Sequence, residues 1–261
     1  MPDVWFLFYI PGGIIAAVFF ILILVFYRLG FLLRVKRMKM LHAKDDQELG
    51  SLNGAMMGLL ALLLAFTFGM ANSRYDLRRE LVVKEANIIG TAILRTDVYP
   101  DSIRTELRGM FKEYVEARIG YYKAGTDIEA VNLHFSKGND LSRNIWKTAT
   151  SYARTDDITT RTAQLLPALN EMIDIVTSRK ASGEAHLPPS ILYFLFALCF
   201  CVSFMMGYDK RERFDWIVTA GFSLMLSITI YIILDLDRPR RGLINLDKQN
   251  EKIVELRELF K

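Results

Sequence analysis

Residues 51–96 read SLNGAMMGLLALLLAFTFGMANSRYDLRRELVVKEANIIGTAILRT. The first half, up to Asn72, has no charged side chain, and the second half is crowded with them. Between Gly69 and Gly90 there is neither glycine nor proline to stop a helix. A bilayer core of about 30 Å needs about 20 apolar helical residues. The stretch is therefore predicted to cross a membrane over 51–72 and to continue, unbroken, as a stalk to about Thr96. Leu77, Leu81, Ile88 and Ala92 fall on one side of that stalk at helical spacing.

Outward from this segment, three further windows are long and apolar enough to span: 11–33, 190–208 and 214–235. The first has no basic residue ahead of it, only Asp3, and its apolar run continues from Val4 to Leu33, so it reads as a retained span rather than a cleaved signal. Pro11 suits its first helical turn. The link between the last two spans, Asp209 to Arg213, is short enough to make them an antiparallel hairpin. A hydrophobic share of 52% agrees with lipid-facing surface, since water cannot solvate that composition evenly spread. Cys199 and Cys201 lie inside a span, where their side chains diverge, and read as apolar filler.

The polar middle is predicted to be all-α. Ser102 can cap a helix carrying Ile103, Leu107, Met110, Tyr114 and Tyr121 and ended by Gly125. Thr126 and Glu129 form a capping-box pattern for a short helix ended by Gly138. Asp140–Arg154 fits a third helix through Leu141, Ile145, Ala149 and Tyr152. A fourth runs from about Ile158 to Ser182, with Leu165, Leu169, Met172, Ile173 and Val176 on one face and a bend at Pro167. No run alternates with a strand's period of two. The organisation expected is 1–50, first span and basic loop; 51–97, second span and stalk; 98–188, helical extramembrane domain; 189–237, the hairpin of spans; 238–261, a C-terminal tail.

Residues 73–188 hold 17 Lys/Arg against 16 Asp/Glu, so the net charge of +4 does not come from a basic groove, and nucleic acid is not an expected partner. His42, His134 and His186 stand far apart without ligand spacing, and no phosphate loop, nucleophile elbow or HExxH occurs. No catalytic residue, metal or cofactor is therefore assigned. By the positive-inside rule, Arg34, Lys36, Arg37, Lys39 and Lys44 after the first span and Lys210, Arg211 and Arg213 in the hairpin place those loops in the cytoplasm and the helical domain outside it. Arg74, Arg78 and Arg79 and Arg238, Arg240 and Arg241 pull the other way.

Two features of the second span invite a functional reading. Gly54, Gly58, Ala61, Ala65 and Gly69 form a face of small residues that admits another backbone closely. The other side holds Met56, Leu59, Leu63, Phe66 and Met70, with Arg74 a turn beyond. In an oligomer built round this helix either face could line a path, with Phe66 and Met70 as an apolar constriction and Arg74 as a charged ring. Ordinary helix packing uses the same small-residue pattern. Three charged clusters also belong at the membrane edge: Arg74, Asp76, Arg78, Arg79, Glu85 and Asn87; Asn170, Glu171 and Asp174; and Asp235, Asp237, Arg238, Arg240 and Arg241 around Pro239. They are read as a mixed ion-pair network, with attraction of anions by its arginines as the sharper alternative.

Residues 59–95, LNEMIDIVTSR (169–179) and ILDLDRPRRGLI (233–244) resemble the bestrophin-like family of bacterial membrane proteins. Bestrophins are pentameric ion channels, mostly anion-selective, with four membrane helices per subunit, a helical cytosolic region and apolar rings on the second helix. The resemblance implies a multi-pass protein of the bacterial inner membrane that forms a homo-oligomer, a pentamer by analogy, and passes inorganic ions, chiefly anions. It implies that the second span lines the pore, with Phe66 and Met70 matching the rings by placement. The acidic calcium-binding stretch of the eukaryotic proteins is not reproduced; Asp235 and Asp237 are followed by arginines. The competing expectation is a non-conducting sensor or scaffold that binds a partner through its helical domain.

Overall fold

A computed structural model describes residues 10–41, 50–152, 154, 159–209 and 215–261. Its helices are α1 (Gly12–Leu41), α2 (Gly50–Leu94), α3 (Asp101–Lys123), α4 (Ile128–Tyr152), α5 (Thr159–Glu184), α6 (Pro189–Asp209), α7 (Trp216–Leu236) and α8 (Asp247–Glu255), with 3₁₀ turns over Arg95–Val98 and Leu256–Phe260. No strand occurs among the described residues. Four helical stretches are long and apolar enough to cross a membrane. The chain is thus an all-α, membrane-spanning protein. Its residues group into two compact units, 1–73 with 186–238 and 74–185 with 239–261. The basic-loop residues Lys44, Lys210, Arg211 and Arg213 lie outside the described residues, as do His42 and Ile158.

In the membrane unit α1 packs against α6 and α7. Ile15, Phe19, Ile23, Tyr27 and Arg34 are buried along one side of α1, at the three- and four-residue spacing that keeps one helical face inward. Phe19 lies 5.1 Å from both Phe196 and Phe200, ring centre to ring centre, and Phe26 stacks on Phe200 at 4.9 Å. The helices cross at two glycines facing each other's backbone. A methyl on Gly30 would strike the Phe204 carbonyl, and one on Gly207 would strike the Tyr27 carbonyl. Without a hydrophobic drive between helices in lipid, such close backbone approach supplies the packing. Arg34 closes the contact by donating to the Tyr208 carbonyl at 3.1 Å. Gly207→Ala is expected to cost about 1–3 kcal/mol through overpacking. Gly221, which has nothing within 4 Å, should accept alanine without loss; thermal unfolding of the two variants in detergent checks the contrast.

The helical unit has one apolar core. Ile89, Ala92 and Ile93 from α2, Leu107, Phe111 and Val115 from α3, Ile145 and Ala149 from α4, Leu165, Leu169 and Met172 from α5, and Ile253 beyond α7 are all fully buried there. Each large side chain contributes about 1.5–3 kcal/mol through burial. The sequence patterns differ from the structure at several places, among them the start of α3, which begins at Asp101 behind Pro100 without a side-chain cap rather than at a Ser102 cap. Leu77, expected inward, is 49% exposed, while Arg78, Val82 and Glu85 are buried instead. Leu81, Ile88 and Ala92 do face the core, and two charged residues share the buried side with them. The break expected at Gly138 is absent: α4 runs through it, with Gly138 buried and its would-be Cβ 3.6 Å from Arg118 Cδ. A glycine inside a helix costs only about 1 kcal/mol against alanine, too little to end α4 here. The α4 cap is Asp127, whose Oδ1 accepts from the N–H groups of Glu129 and Ala130 at 3.1 Å, rather than Thr126. Gly125, at φ +54°, does end the α3 segment in the left-handed conformation that glycine adopts without strain. Pro167 sits within a continuous α5.

Candidate functional site: the faces of the second helix

Along its span α2 shows three sides. Leu60, Thr67 and Ala71 are buried against the rest of the chain, and the Thr67 hydroxyl donates to the Leu63 carbonyl at 2.7 Å. Gly54, Gly58, Ala61, Ala65 and Gly69 are all exposed, and a methyl on any of the three glycines would meet nothing within 4 Å. Between these sides lies the bulky row. Leu59 and Phe66 are 47% and 62% exposed, and Leu63 and Met70 are partly covered. Of the four candidate spans, α2 has the least covered apolar window, 17% buried against 28–39% for the others. Such an expanse of apolar surface belongs against lipid or further helices.

The stalk of α2 carries a buried ionic cluster. The Glu85 carboxylate, 0% exposed, accepts from Arg118 Nε at 2.6 Å, Arg179 Nη1 at 2.6 Å and the Tyr122 hydroxyl at 2.5 Å. Tyr122 in turn accepts from Arg118 Nη2 at 3.0 Å and from Arg179 Nη1. The guanidiniums also sit over rings: Arg179 is 4.4 Å from the Tyr122 centre, Arg118 4.9 Å from Tyr121, and Arg240 4.4 Å from Tyr121 on contacts of its own. Burial alone would raise the Glu85 carboxyl, but the charges of Arg118 and Arg179, with hydrogen bonds from Arg118 and Tyr122, outweigh it and hold the group below the ordinary carboxylate range. Burial pushes the Tyr122 hydroxyl well up, so it stays a donor. Two guanidiniums and a phenol satisfying one carboxylate is what a buried charge requires.

The other charged candidates are divided between the two units. Arg78 donates to the Ser182 carbonyl at 3.1 Å and the Ala185 carbonyl at 2.6 Å, closing the C-terminal end of α5, where cations are favoured. Arg240 donates to the carbonyls of Tyr121 and Gly125 at 3.1 and 3.2 Å. In the membrane unit, buried Asp237 accepts from the Leu187 N–H at 3.0 and 3.2 Å, with His186 Nδ1 3.5 Å away, and Arg238 donates to the Ile10 carbonyl at 2.9 Å. Asp235 is buried there too. Asp76, Arg79, Glu171, Asp174 and Arg241 are exposed, and Arg74 is half-buried. Glu171 and Asp174 form no ion pair among the described residues. No group of three His, Cys, Asp or Glu side chains that could hold a metal occurs among the described residues. The His134 ring lies over the backbone of Gly120.

Arg118, Tyr122 and Arg179 escaped the sequence reading, although a signal exists. Arg118 continues the stripe of Leu107, Phe111 and Tyr114, and Arg179 continues that of Leu169, Met172 and Val176. A charged residue in step with an apolar stripe implies a buried partner.

A family model described as a bestrophin-like domain matches residues 12–250. No curated protein and no solved structure gives a comparable match.

Proposed function

Because the chain belongs to the bestrophin-like family, we propose that it is a homo-oligomeric ion channel of the bacterial inner membrane in which copies of α2 surround a shared axis and anions pass along it. Leu59, Leu63, Phe66 and Met70 line the path, and the row of Gly54, Gly58, Ala61, Ala65 and Gly69 seats a neighbouring helix. The observation that carries this reading is the bareness of α2, whose small row lies open and whose bulky row is open at Leu59 and Phe66, while α1 packs against α6 and α7. Small residues let helices approach to backbone contact, and apolar rings gate by excluding water. The purified protein in liposomes is expected to dissipate an imposed chloride gradient faster than protein-free vesicles. A folded oligomer that leaves chloride, sodium and potassium gradients intact across a range of pH and voltage would favour the scaffold reading instead.

A further inference from the structure

Three arginines of the helical unit gather on two adjacent rings and share one carboxylate. Tyr121 and Tyr122 stand nearly edge to face, 5.3 Å apart. Arg118 and Arg240 both sit over Tyr121, and Arg179 sits over Tyr122. Glu85 is their one acidic partner among the described residues. It pairs with Arg118 and Arg179, while Arg240 donates from Nη1 to the carbonyls of Tyr121 and Gly125. Donors are left over. Among the described residues Arg118 Nη1, and Nε and Nη2 of both Arg179 and Arg240, make no hydrogen bond. The Tyr114 hydroxyl, buried in the field of Arg118, Glu85 and Arg179, has no partner either. A surplus of buried positive charge and an unpartnered buried hydroxyl are each unfavourable, and an anion that accepts from both relieves both. Arg179 keeps 11% of its side chain exposed and Arg240 is half-buried, so the cluster is not sealed from water.

We infer that this cluster is an anion site of the helical unit, which takes a phosphate-type oxyanion on the unused N–H groups of Arg118, Arg179 and Arg240, with the Tyr114 hydroxyl as a further donor. A guanidinium presents its N–H groups as a planar fork that matches two phosphate oxygens at once. A ring stacked on that plane fixes the fork and leaves its edge open to a ligand. Chloride, a single atom, cannot take two parallel bonds from one fork. Free phosphate and the phosphate group of a small organic molecule offer the same chemistry to these donors. The site lies wholly within the helical unit, so the inference stands apart from conduction.

The test is isothermal titration of the full-length protein in detergent, in buffer free of phosphate and sulfate. Inorganic phosphate is expected to bind once per subunit at millimolar concentration or below, and equimolar chloride to leave it bound. Tyr114→Phe and Arg240→Gln should each weaken phosphate about tenfold or more, as loss of one hydrogen bond to a charged group does. Because the Tyr114 hydroxyl bonds nothing in the protein, Tyr114→Phe should keep the wild-type thermal midpoint without phosphate, which separates a lost ligand contact from a lost fold. Arg143→Gln, at an exposed arginine paired with Asp140, should bind as wild type does. Competition by adenosine triphosphate assigns the site to a phosphorylated small molecule, and lack of competition assigns it to the free ion; both support the inference. Absence of saturable phosphate binding, displacement by equimolar chloride, or wild-type affinity in both Tyr114→Phe and Arg240→Gln overturns it and leaves the channel reading untouched.

Discussion

Glu85→Gln is expected to destabilise the helical unit by about 3–5 kcal/mol, because it leaves Arg118 and Arg179 buried without a counter-charge. The amide still accepts one hydrogen bond but cannot offset two guanidiniums. In thermal unfolding of the full chain in detergent, a loss of this size lowers the midpoint by roughly 6–20 °C, taking about 2–4 °C per kcal/mol for a unit well above 100 residues. A midpoint within about 2 °C of wild type would show that the cluster contributes little. The effect is non-additive: once Glu85 is neutral, Arg118→Met should recover part of the loss, since the two side chains share one site. Acid acts on the same group. The carboxyl of Glu85 is depressed in the folded state, so its stabilisation is complete above the unfolded value of about 4.3 and is lost as pH falls through the folded value. Wild type should therefore lose stability on acidification below about pH 4.3 more steeply than Glu85→Gln does.

Phe66→Ala is expected to give the largest change in transport. A ring of phenylalanines narrows a path and keeps it dry, and truncating each ring to a methyl group widens and wets it. Chloride flux into liposomes should rise by roughly an order of magnitude at equal protein density. Phe68, 42% exposed on a different side of α2, serves as the control, and Phe68→Ala should leave the flux within about twofold of wild type. Equal flux in all three proteins would remove Phe66 from the path.

Much of the architecture is legible in the sequence because the decisive signals are local. Twenty uncharged apolar residues can only be a span, and the lack of a breaker between Gly69 and Gly90 carries α2 into its stalk. Legibility failed where a residue type has two uses. Gly138 looks like a stop signal but lies buried inside α4. Arg78 and Glu85 look like surface charges but form the inward side of the stalk, since their partners are the α5 carbonyls and two arginines more than 30 residues away in the chain. The edge clusters suggest one network because two of the three contain both signs and the third is acidic. Within the helical unit Glu85 gathers Arg118 and Arg179, and Arg78 and Arg240 bind backbone carbonyls. Spacing within a helix reveals which residues share a side, but it cannot reveal which distant helix comes to meet them.

Electron cryomicroscopy of the purified protein in lipid nanodiscs, at a resolution sufficient to trace helices, tests the central claim most directly. The account predicts a closed ring of identical subunits with the long second helix, residues 50–94, nearest the symmetry axis and Phe66 turned toward it. A lone subunit, or a ring whose axis is walled by α1, α6 or α7, would contradict it.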